Sequence, residues 1–420
     1  MPHNNSIPIL GQRPTGSTHP LAALRPDPTA PGGPVRSLYL HVPFCFHKCH
    51  YCDFYSIVDT RDRQETFTDR LIREVQAQAP FAAGAPLRTI FVGGGTPSLL
   101  KPDLWVRLLA ELHARFDLSD VLAGRGEFTV ECNPESVTPE LMDVLRAGGV
   151  NRVSMGAQSF NPAHLKTLER WHNPENVPKA IELARTAGIP RQSMDLIFGI
   201  PGQTVADWES DLSIALSMGT EHLSCYNLTY EPATQMTARM KRGEFAPVDE
   251  DLEAAMFELT SQKLEAKGLE RYEVSNYSRP GHESTHNLAY WRQEQWLACG
   301  PSASGHVRGI RWKNTPRLDD YLSRSDQGWA PTSEVEPRDA RRAVRERIMT
   351  GLRLREGLPA EWLMSQSRLA GQDAEDRVQR AIDRMNEQGL LAQREPTIVL
   401  SEAGVLIADA LAARLMKLFL

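Results

Sequence analysis

From Ser37 onward, short apolar, β-branched runs alternate with longer stretches of helical period, and this alternation constrains the fold more than any other feature of the chain. Such alternation is the pattern of βα units laid around a parallel sheet. The runs predict strands over Leu38–Val42, Thr89–Gly93, Phe128–Cys132, Arg152–Met155, Met194–Phe198 and Leu223–Asn227. Amphipathic stretches between them predict helices over Gln64–Gln78, Lys101–Arg115, Pro139–Ala147, Asn176–Ala187 and Thr204–Met218. Six such units are too few for a closed eight-unit barrel of about 250 residues. The expected fold is therefore α/β, a partial (βα)6 barrel over residues 37–235.

Either side of the barrel the texture differs. Residues 1–36, rich in Pro, Gly, Thr and Ser, are expected to form a disordered tail. A helix over Glu250–Lys267 and a Gly-, Asn- and Trp-rich stretch, Tyr272–Lys313, make 236–325 a linking region. Residues 326–420 read as helices, then a short hairpin (Gly389–Leu391 with Ile398–Leu400) and a closing helix over Ala403–Leu418, an order like that of a winged helix. Arg341, Arg342, Arg345 and Arg347 on one helix raise the question of DNA, but they interleave with Asp339 and Glu346. A solvated helix face accounts for them better than a basic recognition stripe.

The net charge of -6 gives no footprint for nucleic acid or an anionic membrane. No apolar stretch approaches the about 20 residues of a bilayer span, and the N-terminus lacks a secretory signal, so a cytoplasmic protein is expected.

Three of the six cysteines, Cys45, Cys49 and Cys52, fall within eight residues just after the first strand, in the run that opens at Tyr39. Cys at those spacings points to metal in a reducing compartment. Three thiolates can hold three corners of an iron–sulfur cubane and leave one iron open to a small ligand. Two alternatives stand beside this: a fortuitous cluster of buried thiols, and a zinc knuckle completed by His47 or His50. The position favours chemistry, because barrel sites lie at the C-terminal ends of strands.

Cys-x3-Cys-x2-Cys after a first strand resembles the radical S-adenosylmethionine superfamily. The resemblance implies a 4Fe–4S cluster on Cys45, Cys49 and Cys52 whose open iron chelates S-adenosylmethionine, with Tyr39 and Tyr51 among the cofactor-binding residues. Gly93-Gly94-Gly95-Thr96-Pro97 at the second strand end resembles the family's glycine motif, which places Gly94, Gly95 and Thr96 at the methionine amino group. Glu131, Gln158 and Asp195 are polar residues at further strand ends. With Arg170 they match, in order and spacing, the cofactor-contacting positions of the oxygen-independent coproporphyrinogen oxidase subfamily. That likeness runs from Ser37 to at least Lys313, and the C-terminal segment resembles the subfamily's extra domain.

Two functions share that scaffold. The oxidase's cluster motif continues with a further cysteine where this chain has Phe54, and its N-terminal extension has no counterpart in a low-complexity tail. His286-Asn287-Leu288-Ala289-Tyr290-Trp291 is similar to the HNxxYW signature of the heme chaperones of the subfamily. The resemblance implies heme as a third cofactor with His286 as its candidate ligand, heme-accepting respiratory membrane proteins as partners, and an electron donor for the cluster. From the residues alone, a packed aromatic cluster with His286 hydrogen-bonded inside it is the favoured reading of this segment; the resemblance reverses that. The run Leu297–His306 departs from the glycine-rich pattern usual there. Cys299 and His306 could add heme ligands, although Cys132, Cys225 and Cys299 read more simply as core thiols.

Overall fold

The computed structural model describes residues 19–30, 32–323, 327–371, 373–392 and 396–420. Six strands, β1 (Ser37–Val42), β2 (Thr89–Gly94), β3 (Glu127–Cys132), β4 (Arg152–Gln158), β5 (Arg191–Phe198) and β6 (His222–Asn227), lie parallel in chain order. Helices Gln64–Gln78, Pro102–Arg115, Pro139–Ala147, Asn176–Thr186 and Val205–Ser217 connect them. The α/β partial barrel expected from the alternation is what the chain forms. Small differences in the helix bounds fall at the ends, as with Thr204, which caps its helix by accepting the Asp207 N–H while Asp207 accepts its N–H in return.

Along β1 to β6 one set of alternating residues is apolar and packs under the helices, while the other is mostly polar, with Tyr39, Phe91 and Ile197 as exceptions. Leu38 and Leu40, Ile90 and Val92, Phe128 and Val130, and Val153 and Met155 are buried in the core beneath the helices. The intervening residues face the barrel interior, and there register aligns polar groups: Glu131 stands beside Ser154, Gly156 beside Asp195, and Asp195 beside Ser224. Strand β4 runs three residues past its predicted end. It does so through a register shift between Gly156 and Gln158, with Gln158 at φ 64°, a bulge that re-aims that side chain.

The region read as a linker extends the sheet at both edges. Strands β7 (Glu270–Arg271) and β8 (Asn276–Ser278) add antiparallel beside β6, and β9 (Leu297–Cys299) adds parallel beside β1, giving a nine-stranded open sheet. A three-stranded antiparallel ribbon follows: β10 (Ser304–Val307), β11 (Ile310–Asn314) and β12 (Thr332–Glu336). Helix Gln64–Gln78 clamps this region. Its buried Glu74 accepts hydrogen bonds from the Tyr321 hydroxyl at 2.6 Å, the Asn314 amide at 2.7 Å and the Gly300 N–H at 2.9 Å.

The C-terminal part has its own core, from Val344 to Phe419. Helices Ala340–Gly351, Ala360–Gln366 and Ala374–Glu387 surround a small antiparallel sheet of Leu358–Pro359, Thr397–Leu400 and Leu391–Ala392. The predicted closing helix is broken at Ile407 into Glu402–Leu406 and Ala408–Met416. The arginines weighed for DNA are engaged inside the protein: Arg341 and Arg345 donate to the Leu420 and Phe419 carbonyls, Arg347 to the Arg292 carbonyl, and Arg342 bridges Glu336 and Glu346. No helix among the described residues is long and apolar enough to cross a membrane.

The expected tail over 1–36 needs correction in its second half; its first eighteen residues lie outside the described residues. Leu21 and Val35 are buried in the main core, and His19 stacks on Trp329 at 4.9 Å with its edge to Trp312 at 5.0 Å. Arg308 donates to the Arg25 and Asp27 carbonyls. Their burial depends on residues some three hundred positions away, which no local period could show. Leu21→Ala should therefore cost about 2–5 kcal/mol, the usual loss for a fully buried leucine, as read by urea unfolding. A change under about 0.5 kcal/mol would mean that this segment contributes nothing to the core.

Candidate cofactor site

The three cysteines occupy a loop leaving β1 that backbone bonds pin on several sides. Cys45 N–H donates to the Ile57 carbonyl at 2.8 Å, Thr96 N–H to the Phe44 carbonyl at 2.7 Å, and His50 N–H to the Leu168 carbonyl at 3.2 Å. All three are free thiols that line one pocket of about 420 Å³. The Thr96 hydroxyl lies 3.4 Å from Cys45 Sγ, and Arg170 Nη1 lies 3.8 Å from Cys49 Sγ.

The two histidines of the zinc alternative stand beside the loop. His47 stacks flat on Trp171 at 4.0 Å, and His50 Nδ1 accepts from Arg239 at 3.3 Å.

The same pocket gathers Tyr51, Gly94, Gly95, Thr96, Glu131, Gln158, Arg170 and Asp195, so all but two of the cofactor residues expected from sequence share it. The exceptions, Tyr39 and His286, stand elsewhere. The backbone around the glycine run is too tight for side chains. Gly94 has φ +107°, and a Cβ there would strike the His41 ring, while one on Gly95 would stand 2.7 Å from the Phe44 carbonyl oxygen. Glu131 accepts the Gly94 N–H at 3.0 Å, and Ser154 donates to Asp195 at 3.2 Å. Arg170 donates to the Gly156 carbonyl at 2.9 Å, yet its Nε is buried without a partner among the described residues. Free thiols, a cradle closed to any Cβ, buried carboxylates and an orphaned guanidinium N–H together fit a cluster with an amino-acid ligand carrying both ammonium and carboxylate.

Electrostatics agree with that fit. Burial, helped by repulsion from Asp195, pushes the Glu131 carboxyl up to about 7, and burial raises Asp195 as well. Burial also pushes the Cys52 thiol up to about 11. Groups so disfavoured as anions gain most from a cationic ligand placed beside them.

A second, wider cavity of about 760 Å³ adjoins the first, sharing Asp53, Phe54, Gly94 and Glu131 in its lining. Tyr39, His41, Phe91, Tyr290, Trp291, Trp296 and Trp312 supply most of its aromatic wall. Sequence reasoning missed His41, Arg152, Ser154 and Ser224 here. The period-2 alternation that sets Tyr39 and His41 on one face of β1 was the available signal.

Helix Thr285–Trp291 carries the HNxxYW segment and docks on the first residues of β2 and β3: Thr285 N–H donates to Glu127 at 2.7 Å. His286 is enclosed within this docking. It has no exposed surface, its Nδ1 is 2.8 Å from the Thr89 hydroxyl, its Nε2 is 2.8 Å from the Tyr290 hydroxyl, and it stacks on Phe91 at 5.3 Å. Burial pushes its pKa down to about 3. With both ring nitrogens bonded, no lone pair is open to iron in this conformation. Cys299 is fully buried in the core with Cys132 and Cys225, and His306, whose Nδ1 is 3.0 Å from the Glu294 carbonyl, is outside the lining of the wide cavity.

Glu131 generates a sign-definite pH dependence. Its folded pKa, about 7, exceeds the ordinary 4.5, so the folded chain holds a proton that the unfolded chain releases across that window. Its contribution to stability is complete below about pH 4.5 and is lost as pH rises through 7. Glu131→Gln should flatten the stability profile between these limits in denaturant titrations. An unchanged profile would locate the proton elsewhere.

Comparison with known proteins places this geometry. The Radical SAM superfamily profile matches residues 39–214, and the HemN C-terminal domain profile matches residues 339–407. A heme chaperone HemW from Mycobacterium tuberculosis is 37% identical over 400 residues, spanning 94% of this chain and 97% of that protein. One from Bacillus subtilis is 32% identical, spanning 89% and 97% respectively. The solved coproporphyrinogen III oxidase (HemN) of Escherichia coli superposes with a TM-score of 0.78 over 92% of each chain at 23% identity, a likeness of fold. Aligned nearly end to end with such relatives, and carrying the cysteine loop described above, the chain belongs to the HemW heme chaperone family of the radical SAM superfamily.

Proposed function

We propose that this protein binds heme beside a S-adenosylmethionine-ligated 4Fe–4S cluster and delivers the heme to respiratory hemoproteins of the membrane from the cytoplasm. The observation that most supports this is the adjacency of two unlike cavities, one lined by cysteine and one walled by aromatics, that share Phe54 and Glu131. Cys45, Cys49 and Cys52 would hold the cluster. The Gly94–Gly95 backbone and Thr96 would receive the methionine amino end, with Tyr51, Glu131, Gln158, Arg170 and Asp195 around the rest of that ligand. Bound together, cluster and S-adenosylmethionine supply one-electron reductive chemistry, which calls for an external electron donor.

The chain's own residues orient and exclude. Tyr51 packs with Ile197, Leu168 and Leu228, an apolar patch suited to a flat ring. Phe54, 65% exposed, stands at the junction of the cavities where the resembling oxidases carry a cysteine. In this reading the cofactor half gates heme transfer without altering the porphyrin.

The test is anaerobic: reconstitute the cluster, then assay heme binding and coproporphyrinogen III decarboxylation in parallel. Near one equivalent of heme with no decarboxylation supports the chaperone; turnover to protoporphyrinogen would make the protein the oxidase. Replacing Cys45, Cys49 and Cys52 together with Ala should abolish the cluster's visible absorption and leave heme binding largely intact. The gating idea fails if this cluster-free protein passes heme to an acceptor as fast as the holo form.

A further inference from the structure

We infer that the wider cavity seats a dicarboxylate porphyrin through its ring faces and the Lys313 ammonium, and that His286 stands behind the wall as a positioning residue and does not bind the iron. The inference rests on the heme reading above and adds the place, the contacts and the role of the signature helix.

The cavity's volume, about 760 Å³, lies within the range of small-molecule sites, about 300–1,000 Å³. Its wall offers what a flat, polarizable macrocycle needs. Tyr290 and Trp296 pack edge to face at 4.6 Å, and Trp291 and Trp312 stand in the same lining. Three donors in that lining are buried with no partner among the described residues: Nε1 of Trp291, Nε1 of Trp312 and Nε of Arg311.

Charge singles out Lys313. Among the cavity's charged groups, Arg311 is paired with Glu346 at 3.1 Å, and Glu336 lies 3.6 Å from Arg342. Arg152 is buried, bonds the Thr129 hydroxyl and offsets Glu131 and Asp195 on the inner wall. Asp53 and Glu334 are exposed at the rim, Glu334 across the ribbon from Lys313. The Lys313 ammonium has no hydrogen bond or ion pair among the described residues. It stands in the cavity lining all the same, together with His41 and Arg311. A propionate is the complement of such a group.

His286 contributes from beneath. It is bonded to Thr89 on β2 and to the Tyr290 hydroxyl, and so fixes the angle at which the Tyr290 ring meets the cavity. Asn287, Tyr290 and Trp291 of its helix line the cavity; His286 does not. A grip made of ring faces and a carboxylate does not depend on the metal.

The experiment titrates the full-length protein with heme, metal-free protoporphyrin IX and protoporphyrin IX dimethyl ester. Heme and the metal-free porphyrin should bind within about threefold of each other, and the ester about tenfold more weakly. Lys313→Met should weaken heme about tenfold and remove the ester's penalty, since both changes delete one contact. Equal binding of acid and ester by the wild type, or an ester penalty undiminished in the variant, overturns the Lys313 contact. His286→Gln should leave the Soret band in place, and His286→Ala and Tyr290→Phe should weaken heme and metal-free porphyrin alike, with Gln restoring what Ala loses. A Soret shift in His286→Gln with loss confined to heme overturns the positioning role and puts the histidine on iron. Failure of the wild type to bind any porphyrin would instead overturn the chaperone reading itself.

Discussion

The whole arrangement depends on six parallel strands that are apolar toward their helices and polar toward one another. A buried parallel sheet ordinarily carries near-continuous apolar runs. Here the inward positions hold Glu131, Arg152, Ser154, Asp195 and Ser224, and burial holds both carboxyls up toward the neutral form. Even with the Arg152 and Arg170 guanidiniums nearby, these two buried acids are not at their electrostatic best alone. A cationic ligand beside Glu131 and Asp195 would recover what burial costs, which is how a binding site stores its affinity in the free protein.

Two clamps keep that interior open on one side and closed on the other. Glu74 ties the segment after β9 to helix Gln64–Gln78 through Gly300, Asn314 and Tyr321. Glu127 holds the start of helix Thr285–Trp291 against the foot of β3 while His286 locks it to β2. Both clamps use buried, multiply bonded polar groups, which fix one geometry more sharply than apolar packing does. The aromatic wall of the wide cavity is built on them.

Legibility in the sequence followed the range of the interactions. The alternation behind β1 to β6 and their helices is local, so those elements could be placed to within a few residues, and the cysteine spacing with the strand-end polar residues led to one pocket. What could not be read depends on distant partners. Strands β7, β8 and β9 are two or three residues long and exist because β6 and β1 offer free edges. Leu21 is buried because the main core receives it, and His19 because Trp312 and Trp329 flank it. His286 is the instructive case. The motif gave the residue type, but the partners of its two ring nitrogens, Thr89 and Tyr290, could be paired with it only by the structure.

Phe54 bears on why a radical scaffold would serve a carrier. It lies two residues beyond Cys52, is largely exposed, and belongs to the lining of both cavities. An apolar ring there lines both cavities without offering a thiol, a proton or a charge to either. A thiol at that position could take part in redox or hydrogen-atom chemistry; a phenyl ring supplies contact and shielding. Glu131 and Asp195 line both cavities, so a charge bound at the cofactor end would act on groups that also face the wider one. Coupling of that kind is what the proposed gating requires, and it needs no bond of the porphyrin to break.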